Sequence, residues 1–179
     1  MSQLSSQDQE TLLQIARSSV QAHLLEQTPQ LPVIESGPLT ELRSVFVSIH
    51  LGTSLRGCVG TINPALPLYE SVSGCAVAAA TRDGRFKPLQ LPELPEVEFE
   101  ISVLSPIETV TDIRRIEIGS HGLIISKGNS RGLLLPQVAV QHQWDREQFL
   151  GETCRKAGLP PTAWKQGATI QLFTAEVFP

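Results

Sequence analysis

The stretch LRGCVGTI, at positions 55–62, decides how the N-terminal half of this chain folds. Apolar residues close it on both sides, which predicts a short buried strand, and the glycines at Gly57 and Gly60 predict tight backbone contacts. Side chains alternate between the two faces of a strand, so we expect Arg56 and Cys58 to share one face and Gly57 to point to the other.

The segments on either side of this strand predict its neighbours. Segment 43–51 alternates Val45, Val47 and Ile49 on one face, which predicts a strand that pairs antiparallel with positions 55–62 through a turn at 52–54. After position 62, two prolines introduce a helix that runs to Ala80. This helix is rich in small residues, which allow a helix to approach a sheet closely.

Further elements follow from caps and periodicity. Ser6 and Gln9 fit a capping box and predict a helix over 6–27, while Asp145 and Gln148 predict the start of another. The remaining patterns predict strands at 97–103, 123–126, 133–135 and 169–178, with KGNSRG as a hairpin turn between the second and third. Because strands and helices mix without a regular βαβ rhythm, the predicted class is α+β.

The composition excludes several classes of function. The chain has 179 residues and a net charge of −4 with no basic run, which argues against binding nucleic acid through its phosphates. The N-terminal segment is too polar for a signal peptide, and no apolar run reaches the ~18–20 residues of a membrane-spanning helix. We therefore expect a cytoplasmic globular protein that binds neither nucleic acid nor membranes.

Cysteine and histidine spacing argues against a metal. Cys58, Cys75 and Cys154 are far apart, odd in number and without a CxxC pair, which fits a reducing compartment better than a disulfide framework or a structural zinc site. The four histidines show neither HxxxH nor HxH spacing. No phosphate-loop, dinucleotide or nucleophile-elbow motif is present, so we expect no cofactor.

Arg56 and Cys58 are the leading candidates for chemistry. A guanidinium beside a thiol favours the thiolate, and it can also bind a carboxylate or a phosphate. The alternative is structural: Cys58 would be a small buried residue and Arg56 would pair with a carboxylate across the sheet.

Three other positions carry weaker signals. His121 lies in a glycine-flanked turn, where it could serve as a base or only hydrogen-bond a backbone carbonyl. Arg85 could clamp an anion or pair locally with Asp83. Gln137 follows an apolar segment, where a buried amide would hold a neighbouring loop or a ligand.

The chain resembles a known family at several of these segments. LRGCVGTI is similar to the LRGCxG signature of the AmmeMemoRadiSam system protein A family, whose conserved unit is the AMMECR-type domain. RDGRFKPL at 82–89, IEIGSHGLIIS at 116–126, RGLLLPQVA at 131–139 and WDREQFLGETCRKAGLP at 144–160 resemble its later blocks in the same order. The chain departs from the family pattern at Gly84 and Lys87, where prolines are usual, and at Gln141, where a carboxylate is common.

The resemblance implies an architecture and a context but no reaction. It implies one domain over residues 1–179 built from two unequal α+β lobes, with both termini in the larger lobe, a mostly antiparallel sheet flanked by helices, and a cleft between the lobes. It also implies association with Memo-like and radical-SAM proteins.

Two hypotheses follow for the function. In the first, the protein is an enzyme or an enzyme component in which Cys58 is the nucleophile, Arg56 and Arg85 hold an anionic small molecule, and His121 is the base. In this hypothesis Gly57, Gly60 and Gln137 also line the ligand site. In the second, the same cleft is a non-catalytic binding or adaptor site and Cys58 is structural.

Overall fold

The computed structural model describes residues 3–179. The chain divides into an N-terminal unit, which runs to Val103 and includes Glu176–Pro179, and a C-terminal unit, Leu104–Ala175. Each unit combines antiparallel strands with helices, which confirms the predicted α+β class.

The N-terminal unit is built on a sheet with β1 in its centre. Its elements are α1 (Ser6–Leu24), β1 (Val45–Leu51), β2 (Ser54–Thr61), α2 (Leu68–Thr81) and β3 (Val97–Leu104), which ends one residue beyond the unit. β1 pairs antiparallel with β2 on one side and with β3 on the other, so the predicted pairing of LRGCVGTI with the preceding strand is confirmed. The alternating residues Val45, Val47 and Ile49 are fully buried in a core shared with α1 and α2.

Two glycines of β2 are required by close contacts on opposite faces of the strand. A Cβ built on Gly57 would lie 2.1 Å from the carbonyl oxygen of Ala79, so the absence of a side chain allows α2 to pack against β2. A Cβ on Gly60 would lie 2.3 Å from the ring of Phe46 on the neighbouring strand. The small residues predicted for α2 serve the same close approach, and Cys75 is buried among them.

α1 begins at Ser6, as predicted, but its N-cap is Ser5 and not the predicted Ser6. Ser5 caps the helix, its side chain accepts the backbone N–H of Asp8, and Asp8 in turn accepts the backbone N–H of Ser5. Ser5 with Asp8 and Ser6 with Gln9 both fit the capping-box pattern, and a carboxylate forms the stronger, charge-assisted bond. The helix also ends at Leu24, before the predicted position 27.

The C-terminal unit has its own antiparallel sheet. Its elements are β4 (Glu108–Val110), β5 (His121–Lys127), β6 (Ser130–Leu134), α3 (Pro136–Gln141), α4 (Arg146–Lys156) and β7 (Thr169–Phe178), whose last three residues lie in the N-terminal unit. β5 pairs with β6 and with β7, and β4 pairs with β7.

Most sequence predictions for this unit are confirmed. The hairpin between β5 and β6 is confirmed, but its turn is shorter than the predicted KGNSRG, and β6 begins at Ser130 and not at position 133. The closing strand lies where predicted, and Asp145 caps α4 in a capping box with Gln148. Gln137 does not extend an apolar strand, because β6 ends at Leu134 and Pro136 begins the short helix α3. A proline at the first helical position is pre-set for this transition.

Within residues 3–179, none of the helices combines the length and the apolar character needed to cross a membrane.

Candidate functional site

The candidate site lies on the face of the N-terminal sheet opposite to α2. In β1, Val45, Val47 and Ile49 enter the core, so the even-numbered residues lie on the other face. The strand registers place Ser48 opposite Cys58 of β2 and Glu100 of β3, and the next residue of this face, His50, opposite Glu98. We call this surface the polar face, defined by Phe46, Ser48, His50, Cys58, Glu98 and Glu100.

Cys58 occupies the edge of the polar face and is held by two polar contacts. The Ser48 hydroxyl donates a hydrogen bond to its sulfur at 3.3 Å. Its backbone N–H points away from β1 and donates to Oδ2 of Asp83 at 2.9 Å. Cys58 and Ser48 therefore form a non-hydrogen-bonded antiparallel pair, the geometry in which facing side chains lie closest. A hydroxyl donor is well suited to stabilise a thiolate.

The Asp83 carboxylate is fixed by Arg85. Arg85 donates through Nε to Oδ1 at 2.9 Å and through Nη2 to Oδ2 at 2.7 Å, and the Asp83 side chain is only 7% exposed. The Arg85 guanidinium, helped by the backbone N–H groups of Cys58 and Arg85, holds the pKa of Asp83 well below its usual range. The local Arg–Asp pair considered from the sequence is therefore present.

Arg85 also carries charge close to the thiol. Its pKa is raised, first by the Asp83 carboxylate and to a smaller extent by a negative charge on Cys58. The Arg85 guanidinium therefore lies near Cys58, with its charge compensated by the Asp83 carboxylate.

Arg56 is engaged elsewhere. Its Nε and Nη2 donate to the two carboxylate oxygens of Glu93 at 3.1 and 3.2 Å, and Nη1 donates to the backbone carbonyl of Lys87 at 2.7 Å. The structural alternative paired Arg56 with a carboxylate across the sheet. Arg56 does pair with a carboxylate, but this is Glu93 of the segment before β3. The geometry favours a structural role for Arg56, and its binding of an anion stays a prediction.

Together these contacts fasten segment 83–93 along β2. Asp83 binds the strand at Cys58, and Arg56 binds the same segment at Lys87 and Glu93. A covered edge strand is protected from unwanted pairing with another chain. Through Asp83, this segment also holds the backbone of Cys58 in place.

The other two cysteines differ from Cys58 in burial. Cys58 is half-buried, whereas Cys75 and Cys154 are buried. Burial raises the pKa of the Cys75 thiol to about 11, and burial also raises the pKa of Cys154. Neutral thiols are poor nucleophiles, so these two cysteines have structural roles.

His121 and Gln137 belong to the C-terminal unit. Nδ1 of His121 accepts a hydrogen bond from the backbone N–H of Glu117 at 3.0 Å. This bond runs in the opposite direction to the one considered from the sequence, in which the ring donates to a backbone carbonyl. The lone pair of the neutral imidazole is used in this bond, which argues against His121 as a base. Gln137 lies in the first turn of α3, and the ligand roles of both residues stay predictions.

The sequence interpretation did not single out Ser48, His50 or Glu100. Each lies at a polar position between the alternating apolar residues of a strand, so these intervening positions were the signal in the sequence. What the alternation could not supply was the register that brings these residues next to Cys58.

The described chain offers no preformed metal site. Among residues 3–179 no group of three or more histidine, cysteine, aspartate or glutamate side chains is arranged to hold a metal ion. A cavity of about 590 Å³ lies where α1 and α2 end, with His23, Thr81 and Leu89 in its lining. Its lining contains no cysteine, so the polar face, which includes Cys58, is the candidate site.

The chain is similar to a family of proteins and to a solved structure. Residues 13–178 match the family model described as AMMECR1. Protein MJ0810 of Methanocaldococcus jannaschii is 43% identical over 157 residues, which cover 82% of this chain and 78% of that protein. The crystal structure of the uncharacterized protein PH0010 from Pyrococcus horikoshii matches with a TM-score of 0.89 and 38% identity, covering 94% of this chain and 89% of the other.

Proposed function

The chain belongs to the AMMECR1 family, and within it we propose that this protein is an enzyme, or a component of one, whose reactive group is the Cys58 thiol. The observation that carries the proposal is the contrast among the cysteines: two are buried, while Cys58 is half-buried with a hydroxyl hydrogen-bonded to its sulfur. A partly exposed thiol among polar groups is the environment of a reactive cysteine.

The surroundings of the thiol support nucleophilic chemistry. Ser48 donates to the sulfur, and the Arg85 guanidinium, paired with Asp83, lies near it. Asp83 holds the backbone of Cys58, so the sulfur is mounted on a fixed strand edge. The Phe46 ring lies against Gly60 and forms an apolar wall on the same face. A fixed nucleophile lowers the entropic cost of reaching an electrophile.

The proposal extends to the substrate and to the partners. The substrate is an anionic small molecule, for which the half-exposed Arg85 offers guanidinium donors. The protein works in the cytoplasm with Memo-like and radical-SAM proteins, a role supported by the resemblance of positions 55–62 and 82–89 to the AmmeMemoRadiSam signature.

Residue-resolved thiol labelling tests the proposal. The native protein is treated with iodoacetamide, and the modified fraction of each cysteine is followed by peptide mass spectrometry. Cys58 is expected to react well before Cys75 and Cys154, because the other two thiols are buried with raised pKa values. Equal protection of all three cysteines in the folded protein would remove the basis for a nucleophile at position 58.

A non-catalytic binding module is the second candidate. It is favoured by the engagement of Arg56 with Glu93 and of the His121 lone pair with Glu117, which leaves fewer groups free for catalysis. The variant Cys58→Ser separates the two candidates in a binding assay with purified Memo-like and radical-SAM proteins. If the protein is a binding module, Cys58→Ser should still bind these partners, and the assembled system should keep its activity.

A further inference from the structure

His50 presents a buried nitrogen that the fold itself does not satisfy. Its Nε2 is inaccessible to solvent and has no hydrogen-bond partner among the described residues. Leaving such a group unpaired costs folding free energy, so native proteins rarely retain one without a role. The bond that Nε2 lacks in the fold is one that a reacting group can make.

The strand register makes His50 a near neighbour of Cys58 in the sheet. Ser48 faces Cys58, and His50 follows two residues later on the same side of β1, which makes it the diagonal neighbour of Cys58. Diagonal neighbours in an antiparallel pair are roughly 7–8 Å apart at Cα, a span that a long or aromatic side chain can bridge.

A bulge lies at the same point of the sheet. The register shifts between Ile49, which pairs with Gly57, and His50, which pairs with Leu55, so that Arg56 is the extra residue of β2. Bulges increase the local twist and redirect side chains, and they are frequent beside active sites. The bulge therefore changes the local strand geometry beside His50, whose Nε2 has no hydrogen-bond partner.

We propose that His50 is the general base that deprotonates Cys58, with Glu98 orienting the imidazole. This assignment rests on the proposed function of Cys58 as a nucleophile. The proton leaves the sulfur for Nε2 of His50, and the freed electron pair of the sulfur forms a bond to the electrophile as its leaving group departs. Glu98 is directly opposite His50 on β3, so the nucleophile, the base and a carboxylate occur in order across β2, β1 and β3.

Charged groups of both neighbouring strands lie around His50. From β3, Glu98 and Glu100 lie on the same face of the sheet as His50. From β2, the Arg56 guanidinium follows Leu55, the residue opposite His50, and its charge is compensated by Glu93. Beyond Cys58, the charges of Asp83 and Arg85 compensate each other in the same way.

The test is the pH dependence of Cys58 alkylation by iodoacetamide, in which the sulfur bonds to carbon and iodide leaves. In the wild type, the rate is expected to rise already between about pH 5 and 8, the range in which imidazole titrates. In His50→Gln the rise should move to about 8.5, the ordinary value of a free thiol, with a loss of about tenfold or more in rate at pH 6.5.

Three comparisons make the result decisive. His23→Gln, an exposed histidine of α1, is the matched control and should keep the wild-type profile. In His50→Ala, added imidazole should restore the rate at pH 6.5, a response that a merely structural role cannot produce. A wild-type profile in His50→Gln, a shifted profile in His121→Gln instead, or failure of imidazole to restore the rate would each overturn the assignment of His50. Preferential labelling of Cys58 would still stand in these cases, so the assignment and the proposed function fail separately.

Discussion

Replacing Gly57 with alanine tests the close contact between α2 and β2, the strand that carries Cys58. The new Cβ would lie 2.1 Å from the carbonyl oxygen of Ala79 and 3.0 Å from its carbonyl carbon, whereas ordinary contact begins at 3.4 Å. Both atoms belong to the backbone of α2, so no side-chain rotation relieves the overlap. The helix and β2 must separate by more than 1 Å.

The expected cost follows from what this separation loses. Overpacking a core typically costs about 1–3 kcal/mol. A gap of 0.5–1 Å forfeits roughly a quarter to a half of each dispersion contact, and α2 buries most of its residues against the core. We therefore expect Gly57→Ala to lower the free energy of unfolding by about 3 kcal/mol, which corresponds to roughly 6–12 °C in Tm for a chain of this size.

Gly74→Ala is the matched control on the same helix. Gly74 is exposed and a Cβ there meets nothing within 4 Å, so alanine should raise stability by about 0.5–1 kcal/mol through its better helix propensity. Urea unfolding measures both variants. Iodoacetamide labelling adds a local readout, because Gly57→Ala should expose Cys75 of α2 while Cys154 in the other unit stays protected.

The reasoning is refuted if Gly57→Ala unfolds within 0.5 kcal/mol of the wild type, or if it exposes Cys154 as readily as Cys75. The first result would mean that α2 does not approach β2 as closely as the contact at Ala79 implies. The second would mean that the substitution unfolds the whole chain and does not report on this contact.

Three further substitutions probe the surroundings of the site. Gly60→Ala should destabilise by about 1–3 kcal/mol because its Cβ would overlap both the Phe46 ring and the backbone carbonyl oxygen of Val45. Adding Phe46→Ala should relieve only the overlap with the ring, so a double-mutant cycle of urea unfolding should show coupling between the two substitutions; additive losses would contradict the contact with the ring. Asp83→Asn should lower the free energy of unfolding at pH 7. Because the pKa of Asp83 is lowered in the fold, this difference from the wild type should persist down to about pH 4 and shrink at lower pH, where protonation of Asp83 removes the same stabilisation from the wild type. A difference that does not change with pH in acid titrations would contradict this. Arg56→Met should cost about 1–3 kcal/mol by unpairing Glu93, whereas an unchanged melting curve together with lost stabilisation by phosphate would restore the ligand role.

Local patterns in the sequence determined most of the secondary structure. The alternation in β1, the hairpin after β5 and the capping box of α4 depend on neighbouring residues, whose spacing is fixed by covalent geometry. The α1 cap was misplaced because two local patterns overlapped there, and only the hydrogen bonds at Ser5 decide between them. Even so, the error was one residue.

The candidate site is determined in part by sequence and in part by tertiary structure. Cys58 stood out because its motif is compact, and the pair of Arg85 with Asp83 was visible because the two residues are neighbours. The partner of Arg56 was not visible, because Glu93 is 37 residues away and reaches it through the path of a loop. Nothing local specifies such a path.

The position of His50 shows the same limit most clearly. Its place on the wet face of β1 follows from the alternation of the strand, but its place beside Cys58 follows from the register and from a bulge of one residue. A shift of one residue in pairing moves every side chain of a strand to the other face. The sequence by itself therefore determined which residues could carry chemistry, and the tertiary structure decided which of them meet, because register is set by packing across the whole sheet.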